Sequence, residues 1–420
     1  MLGNSKIRLV NFFLNWKTFL ILNLFILTVK ILFSVYTKFN AEFFEDWSIA
    51  ENLARDGVYS MQSRFGSSVY KLPVYPLFLS FFIKIFGTVK AVKCIVIIQH
   101  VFYFVIPVII VKIFENFNFK TAGFLAAYFF IFSPAYFYYS NVLEATNLFI
   151  LLFAAWIYFY SIIWTQLVIY RKLIIFSVMT ALVALTQVVA VPIMAVLILV
   201  LCFYKKLSIK QSVTVSFIAV LLYSPWVIRN YLTFDQLIVS KSPVWQNVFL
   251  GYESEYQILP GNKFMTEEEE KLIEEKIAVH NEFADEPIFE EAVSKIVEAD
   301  KMAPLKKGLN NFISLWFVPK RYFDNNGLSV LIGRKLYVIG INLLFVVSLG
   351  YFFRKNKPLF LFLTVVFAGF TFPYLIGHAA NIRFKLDFEW IETSVISLFI
   401  FLKYLNIKKE SVKEQGGNLS

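Results

Sequence analysis

The chain has 420 residues, 58% of them hydrophobic and 19% aromatic, and a formal net charge of +11. Its mean hydropathy of +0.65 lies above that of a soluble domain, so lipid is its natural solvent. The basic residues gather at the ends of apolar runs, which excludes the nucleic-acid partner that such a charge would suggest in a soluble protein.

In chain order, the first predicted span is Lys17 to Val35, with no internal charge before Lys30; a crossing helix needs about 20 such residues. It starts too far in, and recurs too often downstream, for a cleaved signal peptide. Further apolar runs fall near 91–111, 121–139, 145–163, 173–187, 189–204, 211–227, 330–352, 358–376 and 391–405, which makes ten spans. An eleventh run, Leu72–Phe86, is short and opens with Pro73 and Pro76, as a re-entrant or juxtamembrane helix would, and whether it spans is left open.

Lys205, Lys206 and Lys210, then Arg354, Lys355 and Lys357, then Lys403, Lys408, Lys409 and Lys413 mark cytoplasmic turns, and Lys6 and Arg8 agree. With ten spans and both termini inside, segments 37–71, 134–144, 228–329 and 377–390 share the non-cytoplasmic side. Cys94 and Cys202 sit inside apolar runs and form no disulfide framework, while His100, His280 and His378 are too scattered to suggest a zinc site.

Polar chemistry concentrates in the outward segments, where ionisable groups can line a cavity instead of facing lipid. The first is the loop of about 35 residues from Thr37 to Lys71. The second is the stretch 228–329, too long for a plain connection. Between Thr266 and Asp300 it carries 13 acidic and 3 basic residues, the solvated face of a small exposed helical element. Thr266 and Glu269 read as its capping box. Leu305–Val318 mixes Lys306 and Lys307 with Leu, Phe and Trp316, as an interfacial helix does. There is no internal repeat, so an inverted-repeat transporter has no support in the pattern.

Four clusters could carry chemistry. Glu42, Glu45, Asp46 and Glu51 follow the first span, where a carboxylate beside a lipid-bound substrate can act as general base for an acceptor hydroxyl. They precede Asp56-Gly57-Val58-Tyr59 and Lys71-Leu72-Pro73-Val74-Tyr75-Pro76-Leu77. In Phe132-Ser133-Pro134 through Glu144, the proline ends one helix and the glutamate opens the next. Pro225-Trp226-Val227-Ile228-Arg229-Asn230-Tyr231 puts Arg229 at phosphate depth, where it could also be a snorkelling anchor. The last cluster is His378-Ala379-Ala380-Asn381-Ile382-Arg383-Phe384-Lys385-Leu386-Asp387.

Together these resemble the GT-C superfamily of membrane glycosyltransferases, the family 39-like branch with protein O-mannosyltransferases and the lipid A aminoarabinose transferase. The resemblance runs from about Trp16 to Leu405 and implies an all-α polytopic bundle of about 10–11 transmembrane helices with outward-facing catalytic loops. It divides the chain into the loop 37–71 with the catalytic carboxylate, the large loop 228–329 with helical elements, and a cytoplasmic tail 406–420, within one domain, 1–420. No soluble C-terminal domain is expected after the last span.

The function implied is transfer of a sugar from a polyprenyl-phosphate donor to a hydroxyl of an acceptor glycan, lipid or protein, with inversion. It would occur on the outer face of a bacterial or archaeal plasma membrane. Asp46 matches the catalytic acid, with Glu45 as alternate. Arg383, Lys385 and Arg229 are implied to hold the donor phosphate, and Glu144, Tyr75, Asn230 and His378 to line the cavity. Asp387 stands where the family has a nearby proline. No cofactor is called. A divalent cation is left open, since Glu45 and Asp46 could supply oxygen ligands while the nearest relatives imply catalysis without one. The rivals are a lipid transporter or flippase and a non-catalytic partner protein.

Overall fold

A computed structural model of the chain describes residues 12–167, 169–259, 261–277, 282–317, 328–380 and 382–405. The expected tail 406–420 and the basic residues Lys6, Arg8, Lys408, Lys409 and Lys413 lie outside the described residues. The helices are α1 Trp16–Tyr36, α2 Glu45–Asp56, α3 Val74–Phe86, α4 Thr88–Asn116, α5 Lys120–Ile131, α6 Pro134–Tyr139, α7 Ala145–Thr165, α8 Tyr170–Ala184 and α9 Ala190–Phe203. They continue with α10 Ile209–Phe234, α11 Val244–Leu250, α12 Glu267–Ile277, α13 Glu282–Ala299, α14 Ala303–Trp316, α15 Leu328–Lys355, α16 Lys357–Ile376 and α17 Leu386–Ile400. Short 3₁₀ turns occupy Ser63–Phe65, Ser254–Tyr256 and Ile382–Lys385, and a π turn occupies Phe401–Leu405.

The protein is an all-helical integral membrane protein. Among the described residues, six helices are long and apolar enough to cross a bilayer by themselves: α1, α4, α7, α10, α16 and the Ile332–Lys355 part of α15. Three further apolar helices, α3, α5 and α9, are shorter, at 10–17 residues. At about 1.5 Å per residue, 13-residue α3 rises only about 20 Å, short of the roughly 30 Å hydrocarbon core. Leu72–Phe86 therefore does not span alone.

The expected run 121–139 is two helices, because Pro134 starts α6 and the chain breaks at Phe132 and Ser133. α10 continues past the expected end at 227 to Phe234, so the large loop starts later than 228. Between α4 and α5, packing depends on Gly123, where a methyl would lie 2.7 Å from Phe114 Cβ. Such small residues let apolar helices approach when lipid offers no hydrophobic drive to associate.

The broken segment 134–142 is held by a belt of buried polar side chains from three helices. Lys30 Nζ donates to Tyr136 O at 2.8 Å and to Ser140 Oγ at 3.0 Å. Gln99 Nε2 donates to Ser140 O and Val142 O at 3.1 and 3.0 Å, and its Oε1 accepts the Tyr75 hydroxyl at 2.7 Å. Asn147 Nδ2 donates to Val142 O at 2.7 Å, and Asn147 Oδ1 accepts the Tyr103 hydroxyl at 2.6 Å. These bonds supply the partners that carbonyls at a helix break lack.

The long loop folds on itself. α11, α12 and α13 enclose a small core of Phe249, Tyr252, Phe289, Val293 and Ile296. The Thr266–Glu269 capping box forms: Glu269 N donates to Thr266 Oγ1 at 3.2 Å and Thr266 N to Glu269 Oε2 at 2.8 Å. α14, the expected interfacial helix, exposes Met302, Leu305, Leu309 and Phe312. Its opposite face turns inward, where Lys307 reaches Ile376 O at 2.7 Å, Asn311 reaches Tyr374 O at 2.8 Å and Ser314 reaches Ala380 O at 3.0 Å. That face fixes the segment leading to Arg383.

Candidate active site

Two short main-chain links assemble the centre. Phe43 forms an isolated parallel bridge with Leu143, and Leu143 N donates to Glu42 O at 2.9 Å. The bridge sets Asp46, in the first turn of α2, near Glu144, the N-cap residue of α7. Arg383 Nη1 then lies 3.2 Å from Glu144 Oε1, its guanidinium stacked 5.0 Å from the rings of Phe44 and Phe384. Lys71 Nζ lies 3.2 Å from Glu45 Oε2 and 3.9 Å from Asp46 Oδ2.

The Pro225–Tyr231 motif works as a clamp on the loops. Arg229 donates to Ser68 O at 2.8 Å and Tyr59 O at 3.4 Å, with its plane against the rings of Tyr59, Trp226 and Phe234. Trp226 Nε1 donates to Ser240 O at 2.7 Å, and Asn230 Nδ2 to Ile238 O at 3.0 Å. One helix end therefore holds the first loop with Arg229 and the chain after α10 with its neighbours. The two loops also join directly, Ser242 N donating to Val69 O at 3.3 Å. The Tyr59 hydroxyl fixes Lys71 O at 2.9 Å, and Glu286 anchors the next segment by accepting from Ser242 Oγ at 3.2 Å and Trp245 N at 2.7 Å. Lys241 is thereby brought within electrostatic reach of Lys71, Asp46, Glu45 and Arg383.

Charge in the cleft is divided. Burial pushes the Asp46 carboxyl up to about 6, helped by Glu144 and Glu45 and opposed by Lys71 and Lys241. Burial acts upward on Glu45 too, but Lys71 and a backbone N–H at the helix start hold it below its ordinary value. The Lys71 ammonium is raised, because Asp46, Glu45 and Glu144 outweigh its burial. Lys241 falls to about 8 through burial and the neighbouring Lys71 cation. His378 falls to about 3 through burial and Lys241, which keeps its imidazole neutral.

Asp46, Glu45, Glu144, Arg383 and His378 meet in one place, whereas the other expected site residues face elsewhere. Lys385 is buried in a separate pair, 3.1 Å from Glu392 Oε2 and bonded to Asn342 Oδ1. A 3₁₀ turn has about three residues per revolution, so side chains two apart on Ile382–Lys385 diverge, and Arg383 and Lys385 do not converge on one ligand. Arg229 and Asn230 bond main-chain carbonyls and each other. Tyr75 sits behind Asp46 as part of the belt.

Sequence reasoning passed over Lys71 and Lys241 as site residues and read Asp387 only as a departure. Lys71 had a signal, standing two residues before Pro73 in a motif already singled out. Lys241 lies in an irregular segment and carried none. Asp387 is fully buried and accepts from Gln187 Nε2 at 3.2 Å. Among the described residues, no group of three or more His, Cys, Asp or Glu forms a metal-ligand set.

No family model matches the sequence, and no curated protein matches it. The fold does match solved structures. The Archaeoglobus fulgidus oligosaccharyltransferase tethered to an acceptor peptide overlays with a TM-score of 0.53 at 15% identity, over 90% of this chain and 49% of that one. The same archaeon's oligosaccharyltransferase AglB, in complex with an inhibitory peptide and a dolichol-phosphate, gives 0.52 at 13% identity, over 94% and 52%. A looser overlay, with a TM-score of 0.43 at 9% identity over 91% and 76%, is found with ArnT from Cupriavidus metallidurans bound to undecaprenyl phosphate. The chain thus shares the fold of these oligosaccharyltransferases and spans about half of their length.

Proposed function

We propose that this GT-C-fold protein is a glycosyltransferase that moves a sugar from a polyprenyl-phosphate carrier to an acceptor hydroxyl, with inversion, on the outer face of a bacterial or archaeal plasma membrane. The observation that carries the reading is Asp46: a buried carboxylate whose Oδ2 accepts no hydrogen bond, poised near neutrality and faced by Lys71 and Lys241, with Arg383 paired to the neighbouring Glu144. The fold-mate from Archaeoglobus, described with an acceptor peptide and with a dolichol-phosphate, supports the same class of substrates.

In this reading Asp46 takes the proton of the acceptor hydroxyl as its oxygen attacks the anomeric carbon. The bond from that carbon to the phosphate oxygen breaks, and its electron pair leaves with the polyprenyl phosphate. Asp46 is the base rather than Glu45, because a carboxylate held acidic by a lysine 3.2 Å away is a poor proton acceptor at neutral pH. Lys71, Lys241 and Arg383 stabilise the charge that grows on the departing phosphate. Arg229 and Asn230 position these groups without touching substrate, while Lys385 stays in its own pair with Glu392.

The test is label transfer from a panel of radiolabelled polyprenyl-phosphate sugars into a membrane extract. Transfer by wild type that collapses in Asp46→Asn and Arg383→Ala is the expected result. Carrier binding without transfer by wild type would replace this reading with a transporter or a partner protein.

A further inference from the structure

Besides Glu45, whose Oε2 is ion-paired with Lys71 at 3.2 Å, three carboxylates in and beside the site each keep one oxygen with no hydrogen-bond donor: Asp46 Oδ2, which lies 3.9 Å from the Lys71 ammonium, Glu144 Oε2 and Asp387 Oδ1. All three residues are more than nine-tenths buried, so hydration does not account for them. A buried acceptor without a donor is costly and calls for an explanation. Within the protein the other oxygens are engaged, Glu144 Oε1 by Arg383 and Asp387 Oδ2 by Gln187. Glu144 lies within electrostatic reach of both Asp46 and Asp387, Arg383 acts on Asp387 as well, and the Thr146 side chain joins Gln187 in hydrogen-bonding the Asp387 carboxyl group.

The cations Lys71, Lys241 and Arg383 suit an anion; the free oxygens suit its opposite, a neutral group rich in hydroxyl donors. A phosphate offers no donor to a carboxylate when fully ionised, and an isoprenoid chain offers none at all. The two ends of a glycosyl phosphate match this division.

Resting on the transferase reading, we infer that Asp387, oriented by Gln187 and set near Glu144, forms a recognition subsite for the hydroxyls of the donor sugar and determines which sugar is accepted.

The experiment measures affinity of the purified full chain in nanodiscs for bare polyprenyl phosphate and for polyprenyl phosphates bearing a hexose, a deoxyhexose, a pentose or an N-acetylhexosamine. Wild type should bind at least one glycosylated carrier more tightly than the bare one. Asp387→Asn should cut that increment about tenfold, with bare-carrier affinity unchanged, since a hydrogen bond to a charged group is at stake. Gln187→Ala, which spares the carboxylate, should lower it less and decides the matter if Asp387→Asn does not fold.

The inference is overturned if bare-carrier affinity falls in parallel, if the increment survives both changes, or if a chelator abolishes it in wild type, which would make the oxygens cation ligands. No binding of bare carrier by wild type would sink the transferase reading itself, a separate result.

Discussion

The belt around residues 134–142 and the cleft above it are both rich in buried polar groups, yet their bonding differs. In the belt, Lys30, Gln99 and Asn147 spend their donors on the protein's own main chain or on Ser140. In the cleft, Asp46, Glu144 and Asp387 hold acceptors in reserve. Polar groups satisfied by the chain fix a fold, and the open acceptors of the site are what the proposed sugar hydroxyls would meet. The two regions share a boundary of four residues, Ser140 to Leu143, so the belt's rigidity is what sets the position of Glu144.

The comparison sharpens most at Asp46. Asp46→Asn keeps shape and burial but removes the proposed base, and the transfer rate should fall about a thousandfold while carrier affinity stays within a few fold. Single-turnover transfer and carrier binding, measured on the same preparation, separate the two. A variant that loses carrier binding as well would place Asp46 among the structural groups.

Lys30→Met should act the other way. It strands Tyr136 O in an apolar setting, while Ser140 Oγ keeps its bond to Phe137 O, and should destabilise the fold by about 2 kcal/mol, read as a lower midpoint in denaturant or heat. Transfer per folded molecule should drop far less than with Asp46→Asn. A large catalytic defect at unchanged stability would erase the distinction between belt and cleft.

What the sequence disclosed follows the same line. Hydropathy reports burial in lipid, so α1, α4, α7, α10, α15 and α16 were readable from composition and spacing. Pro134 marked the end of a helix, but the short helix α6 that it begins was hidden, because 121–139 reads as one apolar run. Asp46, Glu144 and Arg383 could be grouped as a set of outward motifs, but the Phe43–Leu143 bridge that joins two of them has no local pattern. Motif order also says nothing of direction, which is why Lys385 could be grouped with Arg383 although it pairs with Glu392. Lys241 was invisible for a related reason. Its place depends on Trp226, Asn230 and Glu286, which lie between 11 and 45 residues away, and no periodicity in its own segment announces it.

Arg229→Lys should have a smaller effect than either substitution above. Lysine keeps the charge but cannot bond Ser68 O and Tyr59 O at once while stacking on Tyr59 and Trp226. Transfer should fall about tenfold through misplacement of Lys71 and Lys241. Weakened carrier binding should accompany it, and an undiminished rate would mean that the clamp does not set the cleft.

The gentlest change tests the cleft's cations by pH. Asp46 must be unprotonated to accept a proton, so the rate should rise with pH through about 6; Lys241 must be protonated to meet the phosphate, so the rate should fall again through about 8. Arginine stays charged throughout this range, so Lys241→Arg should carry the alkaline limb upward and leave the acid limb in place, with less than a tenfold change at pH 7. An alkaline limb that does not move would remove Lys241 from the phosphate-facing set. The irregular loop that delivers it would then join the belt as scaffold, and the division of the cleft would rest on Lys71 and Arg383.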